Sequence, residues 1–246
     1  MRVTQHPISP LAAGSEGRAE TRGSGQQGGS PEGGRLPFSP LPPSALPGIS
    51  PARGEIGCIA LALLLALPAH AADWSAKTGE KPYAIQGTTG LALYRSIGEN
   101  GPKTSAGTRA IALTRFDLKW RRDYRPEGSA CVLAFAKPFL TITTELPKPS
   151  APMPPALATR WTPFIDGIRA HEAVHGQMIR ELTAAIISET VGTRQENDPG
   201  CTKIRPVILE KVKSAYARHQ EKSRAFDKAE LGKGGNVEGL VRGLVE

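Results

Sequence analysis

The sequence predicts an α+β fold in which a small antiparallel sheet with one long hairpin packs beside two long helices. Between residues 109 and 146, apolar and polar side chains alternate, as they do in strands with one buried face. Between residues 161 and 226, apolar side chains instead recur three and four positions apart, which is the spacing of one helix face. Five prolines between residues 147 and 155 separate the two patterns. We expect them to form a semi-rigid spacer between sheet and helices.

The first 71 residues are predicted to lie outside this domain. Residues 1–52 contain nine prolines, nine glycines and no periodic apolar run, so they cannot bury enough apolar surface to offset the entropy of ordering. Residues 53–71 are typical of a signal peptide, because twelve apolar or small residues, 56–67, precede a cleavage sequence that ends at Ala71. This run is too short to span a bilayer. Because export signals begin a chain, we expect residues 1–52 to be either disordered or an extension from a start codon assigned too early.

The remaining residues, 72–246, are predicted to form a single secreted or periplasmic domain, with no stable membrane span once the signal is cleaved. They retain two cysteines, Cys131 and Cys201. An isolated pair in an oxidising compartment is expected to form a disulfide, and two free thiols are the alternative. The disulfide would close a loop of about 70 residues and stabilise the fold by about 4 kcal/mol.

The charge of this domain is basic, with 26 Lys and Arg against 19 Asp and Glu, a net charge of +7. A basic balance can indicate binding to nucleic acid. However, the densest cluster, residues 119–125, continues a stretch in which charged residues alternate with Phe116, Leu118 and Trp120. This alternation is typical of a strand with one solvent-exposed face. Export also conflicts with a nucleic-acid partner, so none is predicted.

The first elements of the domain are predicted to be a short strand and a helix. Residues 82–86 form the strand. Thr88 or Thr89 can cap the helix, which ends near Gly98 and the Asn100-Gly101 turn.

The hairpin follows, with strands at residues 109–124 and 130–146 joined by a turn. Its second strand is expected to change phase, because the apolar side chains that should face inward shift parity: Leu133 and Phe135 first, then Leu140, Ile142 and Leu146. Lys137-Pro138 is the predicted place for the bulge or bend that allows this shift.

Two long helices complete the domain. The first is predicted to start either after Pro155 or at Thr162-Pro163, and to run to about residue 192. The second is predicted over residues 203–229, and residues 237–245 can form a short closing helix.

The first long helix carries the motif His171-Glu172-x-x-His175, the H-E-x-x-H signature of zinc proteases. Four positions advance a helix by about 400°, so both histidines point the same way, as two ligands of one metal must. Glu172 lies about 100° further round. It can therefore reach a water bound to the ion and act as the general base. The sequence thus predicts Zn²⁺ as cofactor and a zincin-like helix.

A solvated face that happens to carry these residues is the competing interpretation. The apolar stripe through the motif favours the metal site, whereas Arg169 and Gln177 place polar groups where such helices usually have apolar ones. A catalytic zinc ion usually has three protein ligands, and the third is left open. The candidates are carboxylates and a histidine of the second helix: His219, Glu210, Asp227 and Glu230. Of these, His219 has the best predicted facing.

Several separate motifs give the chain a resemblance to a bacterial family of predicted secreted zinc-dependent proteases, which is catalogued as a domain of unknown function. The resemblance covers about residues 80–232 and rests on these segments: Tyr83-x-Ile85-x-Gly87-x-Thr89, Asn100-Gly101-Pro102, Thr114-Arg115-Phe116-Asp117-x-x-Trp120, Tyr124-Arg125-Pro126, Cys131, Leu146-Pro147, Trp161-x-x-Phe164, the H-E-x-x-H helix, Cys201 and Phe226-Asp227. It implies export and a zinc-peptidase activity. The family often has a His-Gly pair after the aromatic-Asp pair, where this chain has Leu231-Gly232.

The function predicted from these residues is that of a secreted zinc metallopeptidase, which hydrolyses amide bonds in a peptide or cell-envelope substrate. The alternative is a non-catalytic periplasmic binding or structural protein with a degenerate or structural metal site. The sequence predicts neither the substrate specificity nor the oligomeric state.

Overall fold

The computed structural model describes residues 74–246, which confirm the predicted α+β class. The predictions for residues 1–71, including the signal peptide, lie outside the described part of the chain. The elements in chain order are β1 (Ala76–Ile85), α1 (Gly90–Asn100), β2 (Leu113–Glu127), β3 (Ala130–Pro149), α2 (Pro155–Thr190), β4 (Arg194–Gln195), α3 (Ile204–Leu231) and α4 (Asn236–Val245). None of the helices within residues 74–246 is long and apolar enough to cross a membrane.

The strands form one sheet with β3 in its centre, in the order β1-β3-β2, and the short β4 also pairs with β3. The hairpin of β2 and β3 is antiparallel as predicted. The expectation of a wholly antiparallel sheet is wrong, because β1 pairs with β3 in parallel, from Ala76 opposite Leu140 to Ile85 opposite Pro149. β1 is also longer than the predicted strand at residues 82–86. It extends toward the N-terminus because its backbone pairs with the second half of β3, although its side chains are mostly exposed.

The bulge in the hairpin lies at a different place from the prediction. The register shifts between Asp123 opposite Phe135 and Tyr124 opposite Leu133, so Ala134 is the extra residue. Phe135 is consequently 49% exposed rather than directed inward. The phase change predicted at Lys137-Pro138 has therefore already taken place at Ala134, since one added residue reverses the faces of a strand.

The start of α1 is fixed by a side-chain cap, as predicted for one of two threonines. Thr89 is the N-cap, and its Oγ1 accepts a hydrogen bond of 3.2 Å from the backbone N–H of Ala92. Gly90 then allows α1 to approach the end of α4. A Cβ at this position would lie 1.7 Å from the carbonyl oxygen of Leu244, so any larger residue would push the two helices apart.

The helix α2 begins at Pro155, the first of the two predicted starts, and it continues through Pro163. Pro155 fits the first turn, where a backbone N–H has no helical partner. Pro163 cannot donate a hydrogen bond to the carbonyl of Thr159, which costs the helix one bond but does not end it. With 36 residues, α2 is about 54 Å long. It therefore runs through two different parts of the interior.

Among residues 74–246, two apolar cores are joined by α2. The first half of α2, up to Ile168, packs with α1 and α4, whereas the second half, from Ile179, packs with the hairpin and α3. The predicted disulfide between Cys131 and Cys201 is confirmed and lies in the second core. The motif residues lie on the stretch of α2 between the cores. His171, Glu172 and His175 are buried polar side chains at this junction.

Candidate metal centre

The two histidines of the motif are buried and directed at one point. The side chains of His171 and His175 are 0% and 3% exposed, and their Nε2 atoms lie 3.1 Å apart. They are adjacent because four residues advance α2 by a little more than one full turn. The motif face turns toward α3, which supplies the other side chains of the cluster.

Asp227 of α3 completes a group of three candidate ligands. Its Oδ1 lies 2.8 Å from His175 Nε2 and 3.3 Å from His171 Nε2. A tetrahedral ion with ligands at about 2.0 to 2.1 Å would hold its ligand atoms about 3.3 Å apart, which is close to these spacings. The Oδ2 atom of Asp227 is buried and has no hydrogen-bond partner among the described residues. The buried group of His171, His175 and Asp227 could therefore hold a metal ion.

The outward-facing nitrogens of the two histidines lie near polar groups of α3. His175 Nδ1 is 3.2 Å from the hydroxyl of Ser223, and His171 Nδ1 is 3.6 Å from Glu230 Oε2. The ring of Phe226 stacks on His171, with centroids 4.6 Å apart. Polar groups behind metal-binding histidines fix the tautomer and orientation of the rings. Ser223 can thus orient the ring of His175, whereas His171 Nδ1 is buried and has no hydrogen-bond partner among the described residues.

The buried charged groups of the cluster shift one another's pKa values. Burial lowers the pKa of His175, but the hydrogen bond and charge of Asp227, together with the charge of Glu172, outweigh it and hold this pKa above its ordinary value. Burial likewise raises the pKa of Asp227, whereas hydrogen bonds from both histidines hold it below its usual range. Without an ion, Asp227 thus favours a protonated His175. Protons and a metal ion would therefore compete for this site.

Glu172 faces the sheet rather than α3. Its Oε2 accepts a hydrogen bond of 2.6 Å from the hydroxyl of Thr114 on β2, which lies 3.2 Å from the hydroxyl of Thr144 on β3. Thr114 and Thr144 are opposite each other in the hairpin register. Burial raises the pKa of Glu172, and His175, Thr114 and His171 offset only part of this rise. A buried carboxyl with a raised pKa binds a proton more readily than an exposed one, which is a property of general acid-base groups.

The other three candidates for the third ligand have different positions. Glu210 is exposed and pairs with Lys213 at 2.7 Å, so it is not part of the cluster. Glu230 lies near the Nδ1 atom of His171, on the side of the ring that faces away from the shared point. His219 is buried and lies edge-on to Phe116, with a ring-centroid distance of 6.3 Å. The expectation that His219 has the best position is therefore wrong.

His219 is not part of the cluster because it lies beside α2 at a point further along the helix than His175. It bonds to the backbone at Met178, about one turn beyond His175 along α2, and burial lowers its pKa to about 4. The signal that identifies Asp227 is the buried stripe of α3. This stripe continues beyond Val212 into three polar residues at helical spacing: His219, Ser223 and Asp227. The last of them lies level with the motif.

Thr114 is a residue of the site that the sequence interpretation missed. Its signal is a polar side chain on the buried face of β2, in line with Phe116 and Leu118. A buried hydroxyl among apolar neighbours needs a hydrogen-bond partner. The carboxylate of Glu172 provides it.

A cleft of about 440 Å³ opens beside Glu172, between the motif helix and the sheet. Its floor comes from β1 and β3, and its wall comes from one face of α2. The lining residues are Thr78, Gly79, Glu80, Ile142, Thr144, Arg169, Glu172, Ala173, Gly176 and Arg180. This cleft gives a second molecule access to the side of Glu172 that faces the sheet.

Comparison with known proteins identifies one family. A family model described as a bacterial protein of unknown function (DUF922) matches residues 80–235. This range contains both histidines of the motif, Glu172 and Asp227. Neither the curated proteins nor the solved structures include a match to the chain.

Proposed function

We propose that this chain, which belongs to the DUF922 family of bacterial proteins, is a zinc-dependent peptidase that acts outside the cytoplasm. The observation that supports the proposal most strongly is the convergence of His171, His175 and Asp227 on one point, with Glu172 directly after His171 on the same helix. Two imidazoles and one carboxylate are a ligand set that catalytic zinc accepts, and three protein ligands leave a fourth position open.

A zinc ion bound by these residues would polarise the substrate carbonyl and make a water molecule more acidic. Glu172 would take a proton from the attacking water and pass it to the nitrogen of the leaving amine. Thr114 holds the Glu172 carboxylate by its 2.6 Å hydrogen bond, so one carboxylate oxygen is fixed and the other remains for the proton. The positions of these side chains support acid-base chemistry at an amide bond.

The disulfide supports action outside the cytoplasm. Cys131 and Cys201 are bonded across 70 residues of sequence, and such bonds form mainly in oxidising compartments. The substrate is therefore expected to be a protein, a peptide or an amide-linked component of the cell envelope.

The test of this proposal is the variant Glu172→Gln, which removes the base but keeps the shape of the side chain. We expect it to retain zinc and to lower kcat by at least about a hundredfold, since general-base catalysis contributes that much or more. Cleavage would be measured by mass spectrometry on a mixture of unrelated peptides. Glu181→Gln is the matched control, because Glu181 is an exposed residue of α2 that pairs with Lys222. Equal turnover by the two variants would rule out the role of Glu172.

A second candidate function is a non-catalytic protein in which the metal stabilises the fold. The near-complete burial of both histidine side chains favours this alternative, because structural metal sites are closed to solvent. It predicts that zinc removal lowers the melting temperature while no peptide in the mixture is cleaved. The peptidase proposal predicts both the stabilisation and the cleavage.

A further inference from the structure

The cleft beside Glu172 contains two arginines in different electrostatic states. Arg169 is already neutralised, because it pairs with Glu80 at 3.1 Å and with Asp166 at 3.0 Å. Arg180 is half-buried and makes no hydrogen bond or ion pair with any residue that the structure describes. Its guanidinium is thus the unpaired charge of the cleft lining in this part of the chain. A partly desolvated guanidinium without a partner is unfavourable unless an anion joins it.

The guanidinium of Arg180 lies beside the backbone of Gly176, one turn earlier on α2. Side chains of an α-helix lean toward its N-terminus, so Arg180 extends back over the preceding turn. Its Nη1 lies 3.6 Å from the position that a Cβ on Gly176 would have. Gly176 itself is buried and lines the cleft. The Arg180 head group therefore lies on the turn next to that of Glu172.

The chemistry of the cleft selects a carboxylate as the partner of Arg180. Arginine presents parallel N–H groups that match both oxygens of a carboxylate. The lining has two acids, and neither pairs with Arg180: Glu80 is held by Arg169, and Glu172 is hydrogen-bonded to Thr114. We infer that Arg180 is a specificity residue that binds a carboxylate of the substrate, one helix turn from the bond that Glu172 helps to break. This inference rests on the proposed peptidase function.

Two sources can supply the carboxylate, namely an Asp or Glu side chain and the free C-terminus of a peptide. Matched peptides separate them. In one pair, Glu is exchanged for Gln at each position in turn; in the other, the C-terminus is a free acid or an amide. A preference at one fixed distance from the cleaved bond identifies a side chain. A preference for the free acid, with cleavage near the C-terminus, identifies the terminal carboxylate.

The experiment compares wild type with Arg180→Gln, Arg180→Lys and Arg95→Gln on these peptides. Arg95 is an exposed residue of α1 that does not line the cleft, so its variant controls for the loss of one positive charge. We expect the wild type to cleave the acidic member of a pair with a kcat/KM about tenfold higher than the neutral member, as one partly exposed charge-assisted contact allows. Arg180→Gln should abolish this preference, Arg180→Lys should retain part of it, and Arg95→Gln should leave it unchanged. A wild type without acid preference, or a preference that survives in Arg180→Gln, would overturn the inference.

A binding measurement separates failure of this inference from failure of the peptidase proposal. Fluorescently labelled Glu and Gln peptides are titrated with Glu172→Gln, with and without Arg180→Gln. If wild type cleaves no peptide but the acidic peptide binds more tightly in an Arg180-dependent way, the carboxylate site stands and the peptidase proposal fails. The free-acid and amide peptides are titrated in the same way. If the two members bind equally in both pairs, or no peptide binds, the carboxylate site is refuted.

Discussion

Substitution of Asp227 by asparagine tests whether α3 supplies the third ligand. The amide keeps the size of the side chain, and its oxygen can still occupy the position 2.8 Å from His175 Nε2 and 3.3 Å from His171 Nε2. What it removes is the negative charge among the three ligand atoms. Substitutions of residues behind the ligands already weaken metal binding by about 10- to 100-fold. For a ligand itself, we expect zinc affinity to fall by at least about a hundredfold, or about 2.7 kcal/mol.

The assay is a titration of metal-free protein with zinc in competition with a chromophoric chelator. Asp117→Asn is the matched control, because Asp117 is an exposed residue of β2 that pairs with Lys119. His219→Gln tests the other candidate ligand and should bind zinc as tightly as wild type. Urea unfolding of the metal-free variants would show whether each remains folded. Wild-type affinity in Asp227→Asn, or weak binding in His219→Gln, would refute the assignment.

Two further predictions concern the surroundings of the cluster. Thr114→Val should keep zinc but lower kcat about tenfold, because the carboxylate of Glu172 loses its orienting hydrogen bond. The variant should also shift the acid limb of the kcat/KM pH profile to higher pH, since the hydrogen bond from Thr114 lowers the pKa of Glu172. An unchanged pH profile would contradict this role of Thr114. His219, with its pKa lowered to about 4 by burial and the nearby charge of His175, binds a proton more readily when the protein unfolds. Metal-free protein should therefore lose up to about 3 kcal/mol of stability as the pH falls from about 6.5 to 4, and urea unfolding of His219→Gln should lack this part of the loss.

The elements with strong local patterns could be predicted from the sequence. The hairpin follows from alternation, the long helices from apolar stripes, and the α1 cap from two threonines before Gly90. The disulfide follows from two cysteines that remain in a domain predicted to be exported. These features depend on neighbours in the chain, so short segments carry their signal.

Features that depend on distant segments were not predictable in the same way. The parallel pairing of β1 depends on β3, and the sequence of β1 alone does not indicate which strand it pairs with or in which direction. The sequence places the bulge at Lys137-Pro138 rather than at Ala134, because a proline is the stronger local signal for a strand irregularity. The choice of Asp227 over His219 depends on where α3 crosses α2, which neither helix encodes alone.

The cleft shows the same limit. Arg180 and Gly176 are unremarkable in sequence, because an arginine and a glycine on a helix are common. Their significance comes from the approach of β1 and β3 to α2, which forms the cleft that Gly176, Arg180 and Glu172 line.

Coordination of one zinc ion by His171, His175 and Asp227 can be tested by a crystal structure of the zinc-loaded protein, with an anomalous difference map measured at the zinc absorption edge. We expect one strong peak at about 2.0 to 2.2 Å from His171 Nε2, His175 Nε2 and an oxygen of Asp227. No peak at this position, or a peak whose ligands do not include Asp227, would contradict this coordination.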